Sequence, residues 1–253
     1  MVDPLSFRLL CYNMHRAIGV DRRFRLDRVV EILEHYQSDI VLLQEVDRGA
    51  PRSRGLDLAR ELASALDYPY YSVGYNVVLR EGQYGNATLS RYPILAERNI
   101  DLTVGFRKPR GCQYTRISVP RGTSSDATLE VFNLHLGLSA WERVRQVARL
   151  ARSQELEDLN GGLSCLVGGD FNDWRSMLTP IFTDILDFEC ATDYKSGRRQ
   201  AMRTYPSFSP QGGLDKIFFR GPLRLNAANV CRLDVARVAS DHLPIIADFG
   251  LPA

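Results

Sequence analysis

Apolar residues recur at Leu26, Val29, Val30, Leu33 and Tyr36 with the spacing of one helix face, and the run Ile40–Leu43 that follows is short and β-branched at its start. This stretch therefore reads as helix then strand. A second helix is predicted over Leu56–Leu66. A third is predicted from Ser139 to about Leu159, with Ser139 and Glu142 as a capping box, Trp141, Val144, Val147, Ala148 and Ala151 as the apolar face, and Gly161-Gly162 as the stop. Strand patterns fall at Phe7–Leu10, Tyr71–Leu79, Ala87–Ser90, Tyr114–Val119, Leu129–His135, Leu163–Val167, Leu214–Phe219, Leu223–Leu233 and Ile245–Phe249. Several of the gaps between them are too short for a crossover helix, which predicts mostly antiparallel neighbours. Many strands in two groups, each group with a helix before a strand that ends on a carboxylate, suggest two stacked sheets with helices outside and a pseudo-symmetric plan.

A chain of 253 residues with 45% hydrophobic content is long enough for one large core, and nothing in it reads as a linker, so a single domain spanning 1–253 is expected. No run of eighteen apolar residues marks a membrane span. The start, Met1 to Phe7, lacks the basic and apolar regions of a signal peptide. Five cysteines without a C-x-x-C pair fit small buried hydrophobes in a reducing compartment, and the expected location is the cytoplasm. Nothing in the pattern asks for a second copy, and a monomer is expected.

Chemistry enters at the strand ends. Apolar runs deliver Asn13, Glu45, His135, Asp170, Asn172, Asp241 and His242 to the points where strands would stop. Carboxylates, amides and histidines with no cysteine among them suit a hard divalent cation and phosphate chemistry. Glu45, after Val41-Leu42-Leu43-Gln44, would carry a desolvation cost unless a cation or donor meets it. In Gly168-Gly169-Asp170-Phe171-Asn172 the glycines would let backbone approach a ligand, and continued extended backbone would aim Asp170 and Asn172 the same way. Asp215, inside the strand pattern Leu214–Phe219, needs a partner, and His242 across the sheet would supply one.

The net charge of +2 names no partner, but its distribution is uneven. Arg107, Lys108, Arg110, Arg116 and Arg121 share a stretch without a carboxylate, Lys195, Arg198, Arg199 and Arg203 form another, and Arg16, Arg22, Arg23 and Arg25 follow Asn13. Arg16, Arg107, Lys108, Arg110, Arg198 and Arg199 are the candidates for contacting substrate phosphate.

Together the motifs Tyr12-Asn13, Gln44-Glu45, Gly85-Asn86-Ala87, Asn133-Leu134-His135, Gly169-Asp170-Phe171-Asn172, Leu214-Asp215 and Ser240-Asp241-His242 span nearly the whole chain. In order and spacing they resemble the endonuclease/exonuclease/phosphatase superfamily, which includes deoxyribonuclease I, exonuclease III, apurinic endonucleases, neutral sphingomyelinases and inositol-polyphosphate 5-phosphatases. The resemblance implies an α/β fold, a four-layered α/β sandwich of two packed, mostly antiparallel sheets flanked by helices, with the site at one edge. It also implies a phosphoesterase in which Glu45 binds Mg²⁺ or Mn²⁺, with Asn13 and Asp241 supporting that site. Asp170 would position or deprotonate the attacking water, Asn172 would orient it, His135 and His242 would donate to non-bridging oxygens, and Asp215 would hold His242. The implied partner is a phosphoester, with nucleic acid narrowly ahead of phospholipid, sphingomyelin or inositol phosphate headgroups. An inactive binding module on the same scaffold is the remote alternative, which the intact set of polar residues argues against.

Overall fold

The computed structural model describes residues 5–121, 124–159, 162–193 and 201–251. Strands β1 (Leu5–Asn13), β2 (Ile40–Arg48), β3 (Tyr70–Val78), β4 (Gln83–Ser90), β11 (Arg224–Val230) and β12 (Ile245–Leu251) make one sheet in the order β11-β12-β1-β2-β4-β3. The other sheet runs β5-β6-β7-β8-β10-β9, from β5 (Ile94–Asp101), β6 (Gly111–Arg121), β7 (Ser124–His135), β8 (Ser164–Asp170), β9 (Glu189–Cys190) and β10 (Asp215–Arg220). β1 is parallel to β2 and β7 is parallel to β8, and the other pairings are antiparallel. Each parallel pair has a helical crossover, α1 (Leu26–Tyr36) in the first sheet and α3 (Ala140–Ala151) followed by α4 (Gln154–Glu157) in the second. Among the described residues the remaining α-helices are α2 (Leu58–Ala65) and α5 (Ala236–Ala239). Among the described residues no helix is long and apolar enough to cross a membrane.

Strand alternation divides the apolar residues into three layers of packing. Leu10, Tyr12, Val41 and Leu43 face Val29, Ile32, Leu33, Leu58 and Leu62 of α1 and α2. Phe7, Leu9, Cys11, Ile40 and Leu42 face Leu129, Val131, Leu166, Ile217 and Phe219 between the sheets. Phe132, Leu134, Val167 and Phe218 face Val147 and Leu150 of α3, together with Phe171 and Phe182. Helix, sheet, sheet and helix are therefore the four layers of the sandwich.

Near one end the layer between the sheets turns polar. Asn133 on β7 donates from Nδ2 to the carbonyls of Leu43 and Ala87, at 3.1 and 2.9 Å, and accepts from Gln44 Nε2 at 2.7 Å. Asn86 Nδ2 donates to the carbonyls of Asn133 and Gly111, and Thr88, Gln113 and Ser72 continue the ladder. These amides fix the two sheets against each other beside the edge that carries the site. Asn133→Ala should strand two carbonyls and one amide in a buried layer, at about 1–3 kcal/mol per group. The expected result is a drop in the urea midpoint worth about 3 kcal/mol or more with an unchanged m-value, and a loss below about 1 kcal/mol would show that the ladder relaxes around the gap.

Two sequence expectations need correction here. The helix after Ser139 stops at Ala151, because Arg152 and Ser153 interrupt it, and the predicted Gly161 stop lies outside the described residues. Its predicted apolar face is right only at Val147, which is buried, and Ala151, which packs partly buried against the core. Trp141, Val144 and Ala148 are exposed, whereas Glu142, Arg143, Gln146, Val147 and Leu150 are buried. The buried polar groups have partners. Gln146 Oε1 accepts from Gly137 N at 2.8 Å and Gln146 Nε2 donates to Glu142 Oε1, so this face of the helix holds the loop after His135. Ser139 does cap, accepting from Glu142 N, but the Glu142 carboxylate turns to Gln146, so only half of the capping box forms.

Candidate active site

Strand parity explains why the site residues meet. Asn13 continues the face of Leu9 and Cys11, His135 that of Val131 and Asn133, Asp170 that of Leu166 and Gly168, and Asp215 that of Ile217 and Phe219. All four faces look into the space between the sheets. Register then aligns them, with His135 opposite Asp170 on parallel strands and Asp215 opposite Asp170 on antiparallel ones.

Glu45 breaks that parity. Alternation from Val41 and Leu43 would turn it toward α1 and α2, but β2 bulges between Leu43 and Val46 and Glu45 adopts a left-handed φ of 57°. A bulge re-aims one side chain without disturbing the rest of the strand. Glu45 thereby lines a cavity with Asn86, Tyr84, Arg110 and His135.

Asp170 lies at the centre of the cluster and is 1% exposed. Its Oδ2 accepts from Asn13 Nδ2 at 3.0 Å, and its Oδ1 accepts from Asn172 N at 2.9 Å. His135 Nε2 and His242 Nε2 approach the same Oδ2, at 3.5 and 3.7 Å. On its other side His242 Nδ1 donates to Asp215 Oδ2 at 2.8 Å, and Thr204 Oγ1 donates to that oxygen at 2.5 Å. Ser240 Oγ donates to the Asn13 carbonyl at 2.7 Å and accepts from His242 N, which ties the loop before β12 to the end of β1.

The two histidines carry opposite electrostatics. Burial pulls the His242 imidazole down, but the Asp215 and Asp170 carboxylates outweigh it and push it up to about 10. Burial pulls His135 well below its ordinary value, and Arg110, His242, Lys108 and Arg16 add to the effect. Burial also lifts the Asp170 carboxyl, opposed by His242. Near neutrality the edge thus offers one charged donor, His242, and one neutral imidazole, His135. In metal-free protein the His242 ring should stay protonated through neutral pH in ¹H–¹⁵N spectra. Asp215→Asn should bring its titration down toward the ordinary histidine value, and an unchanged titration would mean that Asp215 does not set its charge.

Asp170, Asp215 and His242 offer ligand atoms within 4.8 Å of one another, close enough to share one cation. The Glu45 carboxylate lies apart from this set, and Arg16 Nε stands 3.1 Å from its Oε2. Arg16 reaches it from a turn in which His15, Arg16 and Ala17 have φ of 44°, 60° and 57°. Each such left-handed residue costs about 1–2 kcal/mol. The turn is held by His15 N donating to Asn13 Oδ1 at 3.1 Å. Asp241, with its side chain 35% exposed, lies 4.0 Å from the His15 ring.

Of the residues expected to contact phosphate, Arg16, Lys108 and Arg110 lie beside this edge. Arg110 is 7% exposed and lines the Glu45 cavity, while Lys108 and Arg52 each place a cation over the Tyr84 ring at 5.2 and 5.1 Å. Arg107 is exposed and pairs with no carboxylate among the described residues. Arg198 and Arg199, with Lys195, lie outside the described residues.

The two expectations drawn from the glycine motif are corrected. Extended backbone does not continue through Asn172, whose φ is 51°, and its Nδ2 donates to the Leu136 carbonyl at 2.9 Å. Gly168 and Gly169 serve packing instead of ligand approach. A Cβ at Gly168 would meet Leu42 of the facing sheet, and one at Gly169, with φ of 146°, would run into the Leu134 carbonyl oxygen. Thr204, Ser240 and the Gln44–Asn133 pair were not singled out for these contacts, since a single hydroxyl or amide in a sequence looks like any turn residue.

A sequence profile described as the Endonuclease/Exonuclease/phosphatase family matches residues 10–242. The uncharacterized protein YbhP of Escherichia coli (strain K12) is 32% identical over 259 residues, covering 98% of this chain and 98% of its own length. The crystal structure of an endonuclease/exonuclease/phosphatase from Beutenbergia cavernae DSM 12333 aligns with a TM-score of 0.77 at 18% identity, over 98% of this chain and 72% of that one. D. rerio TDP2, complexed with single strand DNA product, aligns with a TM-score of 0.73 at 15% identity, over 97% of this chain and 99% of that one. At these identities the two solved structures speak to the fold alone.

Proposed function

The chain belongs to the endonuclease/exonuclease/phosphatase family, and from that premise we propose that it is a Mg²⁺- or Mn²⁺-dependent phosphodiesterase acting on nucleic acid. The observation that carries the reading is the buried Asp170, His242 and Asp215 relay beside the Glu45 carboxylate, with Arg16, Lys108 and Arg110 around it.

We place the cation at Glu45, with Asn13 and Asp241 supporting it. These three residues would supply oxygen ligands, as a hard cation requires, and among the described residues the partly buried Glu45 carboxylate pairs with the Arg16 guanidinium. The alternative set fits less well. His242 Nδ1 and Thr204 Oγ1 already donate to one Asp215 oxygen, and a cation there would have to displace them. A bound divalent ion would polarise the phosphoryl oxygen and help to neutralise its growing charge.

The protein groups divide the remaining work. Asp170, buried with a raised carboxyl, holds and accepts a proton from the attacking water. The His242 imidazolium, fixed by Asp215, donates to a non-bridging oxygen as negative charge grows there. His135 is a neutral neighbour that can donate without adding charge, and Asn172 holds Asp170 in place through its backbone N–H while its side chain is fixed on the Leu136 carbonyl.

Besides His242, the three basic side chains Arg110, Lys108 and Arg16 near His135 suit a substrate with phosphates beyond the scissile one, which favours a nucleic-acid strand over a single headgroup. The TDP2 complex with single strand DNA is compatible with this choice on a shared fold. A panel of DNA, RNA, sphingomyelin, other phospholipids and inositol phosphates, each with Mg²⁺, Mn²⁺ and EDTA, tests it. Metal-dependent cleavage of DNA or RNA is the expected result, with rates that fall as salt rises. Cleavage confined to lipid or inositol headgroups would replace the substrate assignment, and turnover unaffected by EDTA would remove the metal.

A further inference from the structure

His242 is the start of an aromatic series that leads out of the site. Its ring lies 5.0 Å from that of Tyr205, and Tyr205 lies 5.4 Å from Trp174 in an edge-on contact. Trp174 is only two residues beyond Asn172, yet it is 55% exposed. Its position is fixed from behind, because Gly212 packs flush against the indole and a Cβ there would meet the ring at 2.6 Å. The turn that carries it is anchored by the fully buried Asp173, which accepts from Leu178 N at 2.7 Å. A large indole held rigidly with an open face, two ring contacts from the catalytic imidazole, is an expensive arrangement in water unless something covers it.

The other tryptophan of the chain provides the contrast. Trp141 is also exposed, but the Arg145 guanidinium covers its ring at 4.0 Å, so its face is already in use. Charge is distributed in the complementary way. Arg16, Lys108 and Arg110 gather around Glu45 and Tyr84, where Arg52 is already paired with Asp47, and the rings of Tyr205 and Trp174 extend from His242. A substrate that reaches from the Glu45 cavity past His242 would therefore meet both cations and an aromatic surface. A strand of phosphates with planar bases has both properties.

We propose that Trp174, backed by Tyr205 and Gly212, is a stacking platform for a nucleobase beside the scissile phosphate. The assignment rests on the nucleic-acid reading above and adds to it a specificity-determining residue and the flank on which the base lies. Stacking of this kind tolerates any base, so Trp174 selects for a base being present and not for its identity.

The test uses Trp141→Phe, which leaves Trp174 as the sole tryptophan of a chain that has two. In EDTA, where no turnover occurs, short single-stranded DNA should quench Trp174 fluorescence saturably. An oligomer of equal length and phosphate count with abasic positions should do so on the order of ten-fold more weakly. Vesicles of phosphatidylcholine and sphingomyelin should leave the emission unchanged. In turnover, Trp174→Ala should raise KM by about ten-fold with kcat nearly unchanged, and Trp174→Phe should recover most of the loss. Equal quenching by the abasic oligomer would overturn the platform, as would a blue shift on vesicles alone. If the enzyme cleaves DNA while Trp174 stays silent, only the platform falls, and if it cleaves only lipid the nucleic-acid reading falls with it.

Discussion

Asp170→Asn and His242→Ala should each cost about 3 kcal/mol or more of transition-state stabilisation, a loss of two orders of magnitude or more in kcat/KM. Asparagine keeps the size of Asp170 and an oxygen that can accept from Asn172 N, but it removes the carboxylate that takes the proton of water and faces the imidazolium. Alanine at His242 removes the donor and leaves the buried Asp215 with Thr204 alone. Breaking a buried pair from one side destabilises a fold by about 3–5 kcal/mol, so His242→Gln belongs beside His242→Ala, with thermal melts to separate activity from folding. Because both groups serve one transition state and touch each other, the double variant should lose much less than the sum of the singles. Full additivity would mean that the two act in separate steps.

Glu45→Gln carries the second large effect. The amide is isosteric and still accepts hydrogen bonds, so the bulge and the strand should persist, but the negative charge that balances a divalent cation is gone. Mn²⁺ binding, followed directly by calorimetry or by the spin signal of the free ion, should weaken by at least an order of magnitude, and activity at the same metal concentration should fall by several. Arg16 loses its partner in this variant, which a double cycle with Arg16→Gln would separate from the effect on the metal. Wild-type activity and wild-type Mn²⁺ binding in Glu45→Gln would exclude Glu45 as a ligand.

Much of this edge was legible in the sequence because strand alternation is strict. Once Cys11, Val131, Leu166 and Ile217 are recognised as residues between the sheets, Asn13, His135, Asp170 and Asp215 must share that face. The Asp215 to His242 contact was anticipated on chemical grounds, since an acid in a buried strand requires a partner, and the structure places the two 2.8 Å apart. The features that escaped depend on departures from regular geometry. The Glu45 bulge, the left-handed turn at His15–Ala17 and the turn at Asn172 follow no period. The face of α3 was misjudged for a different reason. Its stripe of Trp141, Val144 and Ala148 is more apolar than the true buried face, where Glu142, Arg143 and Gln146 are retained to hold the His135 loop. Strands β5 and β9 were missed because β5 is exposed along most of its length and β9 has two residues. Neither leaves an alternation to detect.

The two cation placements are separated most directly by a crystal grown with Mn²⁺ and inorganic phosphate. A single anomalous peak should lie beside Glu45, with oxygen ligands at about 2.1–2.2 Å as such a cation requires, and the phosphate should accept a hydrogen bond from His242 Nε2 while Nδ1 stays on Asp215. A peak bound instead by Asp170, Asp215 and His242, with the Asp215–His242 hydrogen bond broken, would contradict both the metal site and the role of His242 as a donor.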